Sequence, residues 1–247
     1  RVIYRQAGAK VDDSSEMVFL DRGLVMAALA HAPASFTLHA RNPARNRTLG
    51  KRVVNFCTVG GAPYVSDLDR GRRPGTFEDY CNLLKLTQTL NVVHIPAGYA
   101  PEPQDVPVPI RHVVAMEALA RLTDKALFGF SLSQQRVFDN IELARIARGV
   151  DAATLAREPS LYTIVNTNSP LQIDRPMLWG IIEMARHGQV VCVTPFTLSG
   201  AMAPVTIIGA LAQQHAEALA GLALAQIVNP GAPVIYGGFT SNVDMKT

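Results

Sequence analysis

The stretch from Gln189 to Val228, QVVCVTPFTLSGAMAPVTIIGALAQQHAEALAGLALAQIV, restricts the fold more than any other part of the chain. Val190 to Thr194 is an apolar, β-branched run of strand length, suited to burial on both faces. Pro195 has no N–H to give to a ladder and is expected to end that strand. Ser199-Gly200-Ala201 reads as a loop, and Pro204 suits the first turn of a helix. Val205 to Val228 then reads as one long helix, apolar almost all round and stopped by Asn229-Pro230-Gly231. Buried strand, polar-tipped loop and buried helix together form one βα unit of a parallel sheet.

The unit recurs upstream. Strands are expected at Val92–Ile95, Ala126–Phe130, Leu161–Val165, Val190–Thr194 and Pro233–Tyr236. Between them lie a loop and helix from Pro107 to Leu122, helices at Gln134–Arg148 and Arg175–His187, the latter capped by Asp174, and the long helix. Such alternation indicates a parallel α/β architecture with right-handed crossovers. Before it, Asp21 caps a helix from Arg22 to about His31, and strands at Ser35–His39 and Val53–Val59 form a small antiparallel hairpin. Tyr64 to Gly75 reads as a polar loop, and Thr76 caps a helix through Leu90 whose first turn carries Glu78 and Asp79. This divides the chain into an accessory layer, 1–75, and a five-strand parallel portion, 76–247.

A complete (β/α)8 barrel takes about 250 residues, and the accessory layer leaves room for five strands. An open doubly wound sheet fits the same count. No strand-to-helix turn carries GxGxxG or GxxxxGK[ST], which removes support for a nucleotide site. The chain begins at Arg1 and stops just after a strand-like run, so both ends read as those of a fragment. The expectation is therefore a TIM barrel truncated at its C-terminal strands, with a small N-terminal helix and antiparallel hairpin.

Composition adds exclusions. With 48% apolar and 17% charged residues the chain has material for a core. A net charge of +3 without a Lys/Arg-rich run argues against nucleic acid. Cys57, Cys81 and Cys192 form no CxxC pair and suit reduced thiols rather than disulfides or zinc. The 205–228 stretch carries Gln213, Gln214, His215 and Glu217 at its centre, which disfavours a membrane span. A cytoplasmic protein is expected.

Ligands of parallel α/β folds bind at the C-terminal ends of strands. Those ends carry Gly98 and Tyr99; Ser131 and Ser133; Asn166 to Ser169; Thr194, Phe196, Thr197 and Ser199; and Tyr236 with Phe239 to Asn242. No carboxylate occurs at the first four, and Asp244 is the first after the fifth. Paired-carboxylate hydrolysis, a metal site or a Lys Schiff base therefore lacks its groups, and Lys125 precedes its strand at the wrong end. A neutral, aromatic pocket suits a quaternary ammonium held by ring faces, or chemistry supplied by a cofactor. Strand-end Asn and Ser serve loop backbone equally well. Glu217 reads as paired with an Arg or a backbone group, and the six histidines as structural.

Four segments carry a resemblance: GGAPYVSDLDRGRRPGTFEDY (60–80), HIPAGYAPEPQDVPVPIRH (94–112), TPFTLSGAMAPVT (194–206) and NPGAPVIYGGFTSNVDMKT (229–247). Through them the chain resembles the trimethylamine methyltransferase (MttB-like) superfamily, on the non-pyrrolysine side that includes glycine betaine enzymes. The archaeal trimethylamine enzyme places its pyrrolysine in a segment that these residues do not include. The resemblance implies a (β/α)8 barrel that presents a methylated amine to the cobalt of a corrinoid on a separate small protein, with no metal or nucleotide held by this chain. It implies a methyltransferase whose partners are a small methylated amine and a corrinoid protein, without nucleic acid or membrane, and leaves a homo-oligomer open. Tyr99, Phe196, Tyr236 and Phe239 are candidates for an aromatic cage, with Asn166 and Ser131 beside them as substrate contacts. Asp67, Asp69 and Arg70 are candidates for a loop over the barrel mouth, and no catalytic side chain is assigned. Core packing is the competing reading for each ring, and a solvated Asp–Arg pair for the loop. The rival function is a barrel that binds betaine-like ligands without turning them over.

Overall fold

A computed structural model describes residues 1–242; Asp244, with the rest of 243–247, lies outside the described residues. The chain divides into two compact units. The first holds Arg1–Pro33, Ser131–Gln134 and the residues from Thr163 onward; the second holds Ala34–Phe130 and Gln135–Tyr162.

The first unit opens with α1 (Val2–Gln6), an antiparallel hairpin of β1 (Lys10–Asp12) and β2 (Met17–Phe19), and α2 (Arg22–Leu29). Asp21 caps α2 by accepting the Leu24 N–H at 2.9 Å, which satisfies one of the orphan donors of the first turn.

The second unit contains the hairpin β3 (Ser35–Leu38) and β4 (Arg47–Gly50), then β5 (Tyr64–Asp67) and β6 (Gly71–Pro74). Next come α3 (Phe77–Thr89), α4 (Val108–Leu122), β7 (Leu127–Phe128), α5 (Gln134–Arg148) and the short α6 (Ala152–Arg157). Thr76 and Asp79 close a capping box at the start of α3. Strand β8 (Leu161–Thr167) begins in this unit, where Leu161 and Tyr162 pair in parallel with Leu127 and Phe128.

The rest of β8 returns the chain to the first unit, followed by α7 (Arg175–Arg186), β9 (Val190–Ser199), α8 (Ile207–Val228), β10 (Val234–Tyr236) and β11 (Phe239–Asn242). β9 is the centre of this sheet, with β8 on one side and both β10 and β11 parallel to it on the other. Helix α8 lies close against β9: a Cβ at Gly221 would stand 2.8 Å from Val193 Cγ1. On its other side α8 gives Ala223 to a cluster with Val25 and Ala28 of α2. An almost wholly apolar helix of 22 residues is thus covered on two sides, which is what its lack of a polar face demands.

Several expected boundaries differ. The strands expected at 53–59 and 92–95 reduce to one parallel bridge between Cys57 and Ile95, so the first of the five repeat strands does not form. The accessory hairpin pairs 35–38 with 47–50 instead, because Asn42-Pro43 starts a short 3₁₀ turn that brings the chain straight back. The segment expected as a loop at 64–75 is the β5–β6 hairpin, closed by Asp67 accepting the Asp69 and Arg70 backbone N–H groups. Pro195 does not stop β9, which runs on to Ser199. β10 ends opposite Val193 and β11 starts opposite Phe196, so Pro195 falls in the gap where its missing N–H costs no ladder bond on that side. Phe239 to Asn242 accordingly belong to a strand and not to a loop beyond one. The long helix starts at Ile207, capped by the Thr206 hydroxyl.

Candidate functional site

Alternation along the strands sorts the candidate side chains by face. In β9, Val191, Val193, Pro195, Thr197 and Ser199 are buried, whereas Cys192, Thr194, Phe196 and Leu198 are only half-buried. The buried set faces α8, since Gly221 meets Val193. Parallel pairing carries the division across to β11. Phe239 lies opposite Phe196, and their rings stack at 4.9 Å with planes 9° apart. Thr240 lies opposite Thr197 on the other face, where the two hydroxyls are 2.5 Å apart and Thr240 also bonds Gln214 of α8.

Tyr236 falls on the α8 face. It pairs with Val193, and its hydroxyl sits 3.2 Å from Nδ1 of His215 on α8. The structure therefore brings Phe196 and Phe239 together and places Tyr236 on the opposite side of the sheet. The burial pattern of β8 puts Asn166 on its exposed side and Val165 and Thr167 on its buried side. Ser131 is buried; its Oγ accepts the Thr163 hydroxyl at 2.7 Å, and Gly180 of α7 packs against it so closely that a Cβ there would come within 3.0 Å. Ser131 thus serves the seam between strand and helix.

The face that carries Phe196 and Phe239 also presents Cys192, Thr194, Leu198, Ile235 and Ser241, and none of these is charged. Gly237-Gly238, between β10 and β11, lets the chain pass this face: a Cβ on Gly237 would stand 2.4 Å from Thr194 Oγ1.

A carboxylate does reach a strand end, which corrects the expectation of neutral ends. Glu217, one turn before Gly221 on α8, is 3% exposed. It accepts the Thr167 hydroxyl, the Ser169 hydroxyl at 2.7 Å, the Leu171 backbone N–H at 2.8 Å and the Gln213 amide at 2.9 Å. A backbone partner was expected for Glu217 and is present; no Arg pairs with it among the described residues. Leu171 sits at φ 55, a left-handed conformation uncommon for a leucine, and its N–H is the group that Glu217 holds. Strand-end reading missed this because the group arrives from a helix. The signal was Gln213 and Glu217 at i and i+4 on one face of an otherwise apolar helix. Glu217 and His215 line a cavity of about 1010 Å³ that α2, α8 and the 168–174 turn also border.

In the second unit Tyr99 stacks on Phe130 at 4.2 Å and meets Tyr80 edge-on; Phe128 bridges Phe130 and Tyr162. Burial pushes the Tyr99 hydroxyl up to about 12. Asp67, Asp69 and Arg70 form the turn of the β5–β6 hairpin. Arg73 ties the two strands of that hairpin together through Asp67 at 3.1 Å and fastens the hairpin to α3 through Asp79 at 2.5 and 2.7 Å. These bonds from Arg73 hold the Asp79 carboxyl well below the usual range. Among the described residues no cluster of His, Cys, Asp or Glu could hold a metal ion, and no helix is long and apolar enough to cross a membrane.

The chain spans about half the length of the curated relatives it matches. It is 36% identical over 245 residues to the glycine betaine methyltransferase of Desulfitobacterium hafniense strain Y51, covering 99% of this chain and 50% of that protein. It is 30% identical to trimethylamine methyltransferase MttB of D. hafniense strain DSM 10664 / DCB-2, over 99% and 49% respectively. Identity to the proline betaine:corrinoid methyltransferase of Eubacterium limosum is 28%, over 99% and 51%. The fold is similar to that in the crystal structure of the hydroxylamine MtmB complex, with a TM-score of 0.63 at 12% identity, over 99% of this chain and 53% of the other. The trimethylamine methyltransferase (MTTB) model matches residues 1–247, and the chain belongs to that family.

Proposed function

We propose that the full-length protein moves an N-methyl group from a quaternary or tertiary amine, of betaine or trimethylamine type, to the cobalt of a corrinoid carried by a partner protein. The carrying observation is the uncharged face on which Phe196 and Phe239 stack at 4.9 Å, in a chain that belongs to this family. In this reading β7 to β11 are part of a (β/α)8 barrel and that face lines its interior. A methylated ammonium is attracted to ring faces and repelled by nothing there, because no cation shares the face among the described residues. The corrinoid supplies the nucleophile when its protein docks. This chain's task is to bind and orient: the two Phe rings take the methylammonium, and Asn166 and Thr194 offer the polar contacts that fix its direction. With 36% identity to a protein named glycine betaine methyltransferase, glycine betaine is the first amine to test.

The test combines the full-length protein, its reduced corrinoid partner and glycine betaine, and follows the cobalt spectrum. Phe196→Ala should weaken betaine binding by about 0.5–2 kcal/mol, roughly 2- to 30-fold, measured by calorimetry. Tyr236→Phe should leave it unchanged, because Tyr236 faces α8. Betaine binding without methylation of cobalt would make the protein a binding module. Neither binding nor transfer with any tertiary or quaternary amine would overturn the proposal.

A further inference from the structure

We propose that Glu217 is a positioning residue for the substrate, acting through the end of β8; this rests on the function proposed above. The helix that carries it is seated close on the sheet, because Gly221, one turn on, lets α8 touch Val193 with no side chain between. From that height the Glu217 carboxylate receives all its bonds from one short segment and one neighbour: the hydroxyls of Thr167 and Ser169, the backbone N–H of Leu171, and the Gln213 amide. Each of these groups donates, so the pattern is satisfied by a carboxylate accepting on both oxygens. No salt bridge competes for it among the described residues.

The segment it grips is the one that turns β8 toward α7. Thr167 points back to Glu217 on the buried face, so Asn166 before it points the other way and is exposed. Holding Thr167, Ser169 and Leu171 at three points thus fixes the direction of Asn166 without touching it. Leu171 stands at φ 55, an uncommon conformation for a leucine, and Glu217 is the group that holds its N–H there. Asn168 is set by the same turn: its N–H donates to the Gln172 carbonyl at 2.8 Å, and its Oδ1 accepts the Asp174 N–H at 2.9 Å. Glu217 is therefore expected to govern how well the amine is held, more than how fast the methyl group leaves.

The experiment is a double-mutant cycle on the full-length protein, with glycine betaine as probe and calorimetry and steady-state transfer as readouts. Glu217→Gln keeps the shape but offers an amide to four donors, and should weaken betaine binding about tenfold, as coupled neighbours do. It should raise KM by a similar factor and leave kcat within about twofold, since ground-state and transition-state binding are lost together. In an Asn166→Ala background the same substitution should cost under about twofold, because the group it positions is gone. Ser169→Ala, which removes one donor, should move the affinity in the same direction by about two- to fivefold and covers the case that Glu217→Gln does not fold. Equal losses in both backgrounds, or unchanged affinity in Glu217→Gln, would overturn the inference and leave the proposed function standing. A wild-type protein that binds no betaine or other methylated amine would remove both.

Discussion

Lys125 offers the sharpest test of how the second unit is held together. Its side chain is 1% exposed, yet among the described residues its ammonium has no carboxylate partner; it donates to the carbonyls of Thr87 at 2.5 Å, Leu90 at 3.0 Å and Val93 at 2.5 Å. Thr87 and Leu90 belong to the last turn and C-cap of α3, whose carbonyls have no helical donor and which carries the negative end of the helix dipole. Lys125→Met removes three charge-assisted bonds, each worth about 1.5–3 kcal/mol. Release of the buried ammonium's desolvation cost and burial of the methionine offset part of that, and the net loss should be about 3–5 kcal/mol. For a full-length protein about twice the length of this chain, the melting temperature should fall by about 3–5 °C. Thermal unfolding of the full-length protein followed by fluorescence reads this directly, with Lys85→Met, an exposed site on the same helix, as the control that should shift by less than about 2 °C. A Lys125→Met protein melting within 2 °C of wild type would refute the idea that this ammonium caps α3.

Two further outcomes follow from the geometry. Arg73 bonding depresses the Asp79 carboxyl, so the stability it contributes is complete above the unfolded value of about 3.9 and drains away as pH falls toward the lower folded value. Melting temperature measured from pH 7 to pH 2.5 should therefore drop below about pH 4 in the wild type, while Asp79→Asn starts lower and shows a shallower acid limb; parallel limbs would show that another carboxylate is responsible. Gly237→Ala would force a Cβ to within 2.4 Å of Thr194 Oγ1 and 3.0 Å of Cys192 Sγ, and should cost about 1–3 kcal/mol in urea unfolding, whereas Gly231→Ala, with nothing within 4 Å, should lose only what its φ of 89° demands.

The parts of this fold that were legible in the sequence are those whose cause is local. Asp21, Thr76, Asp174 and the apolar period after each announce α2, α3 and α7 to within a residue or two, because a cap and the face it starts are written side by side. The βα order was legible for the same reason, since buried parallel strands are continuous apolar runs. What failed was each inference that needed a neighbour. Val53–Val59 and Val92–Ile95 have strand composition, but a strand requires a partner along its length, and the two segments share only the Cys57–Ile95 bridge. Likewise Pro195 has the chemistry of a strand terminator, and whether it terminates depends on the strand alongside. Here that neighbour breaks at Gly237-Gly238, opposite the place where Pro195 has nothing to donate.

The candidate site repeats the lesson at the level of chemistry. Reading strand ends in order gave Phe196, Phe239 and Tyr236 the same standing, because sequence order does not show that β10 stops and β11 resumes across a two-residue break, with Phe196 and Phe239 on one face and Tyr236 on the other. A slip of one residue turns a side chain to the other face, and the Gly237-Gly238 break decides which ring faces α8 and which faces Phe196. The uncharged character of the face was visible; the charge behind it was not. Glu217 enters from α8, 50 positions after the Thr167 that donates to it, and the packing of α8 on β9 at Gly221 helps bring the two together. In the proposed reading, a socket for a methylated cation has neutral walls and still depends on one buried anion, because the anion acts on the backbone that shapes the wall and not on the ligand.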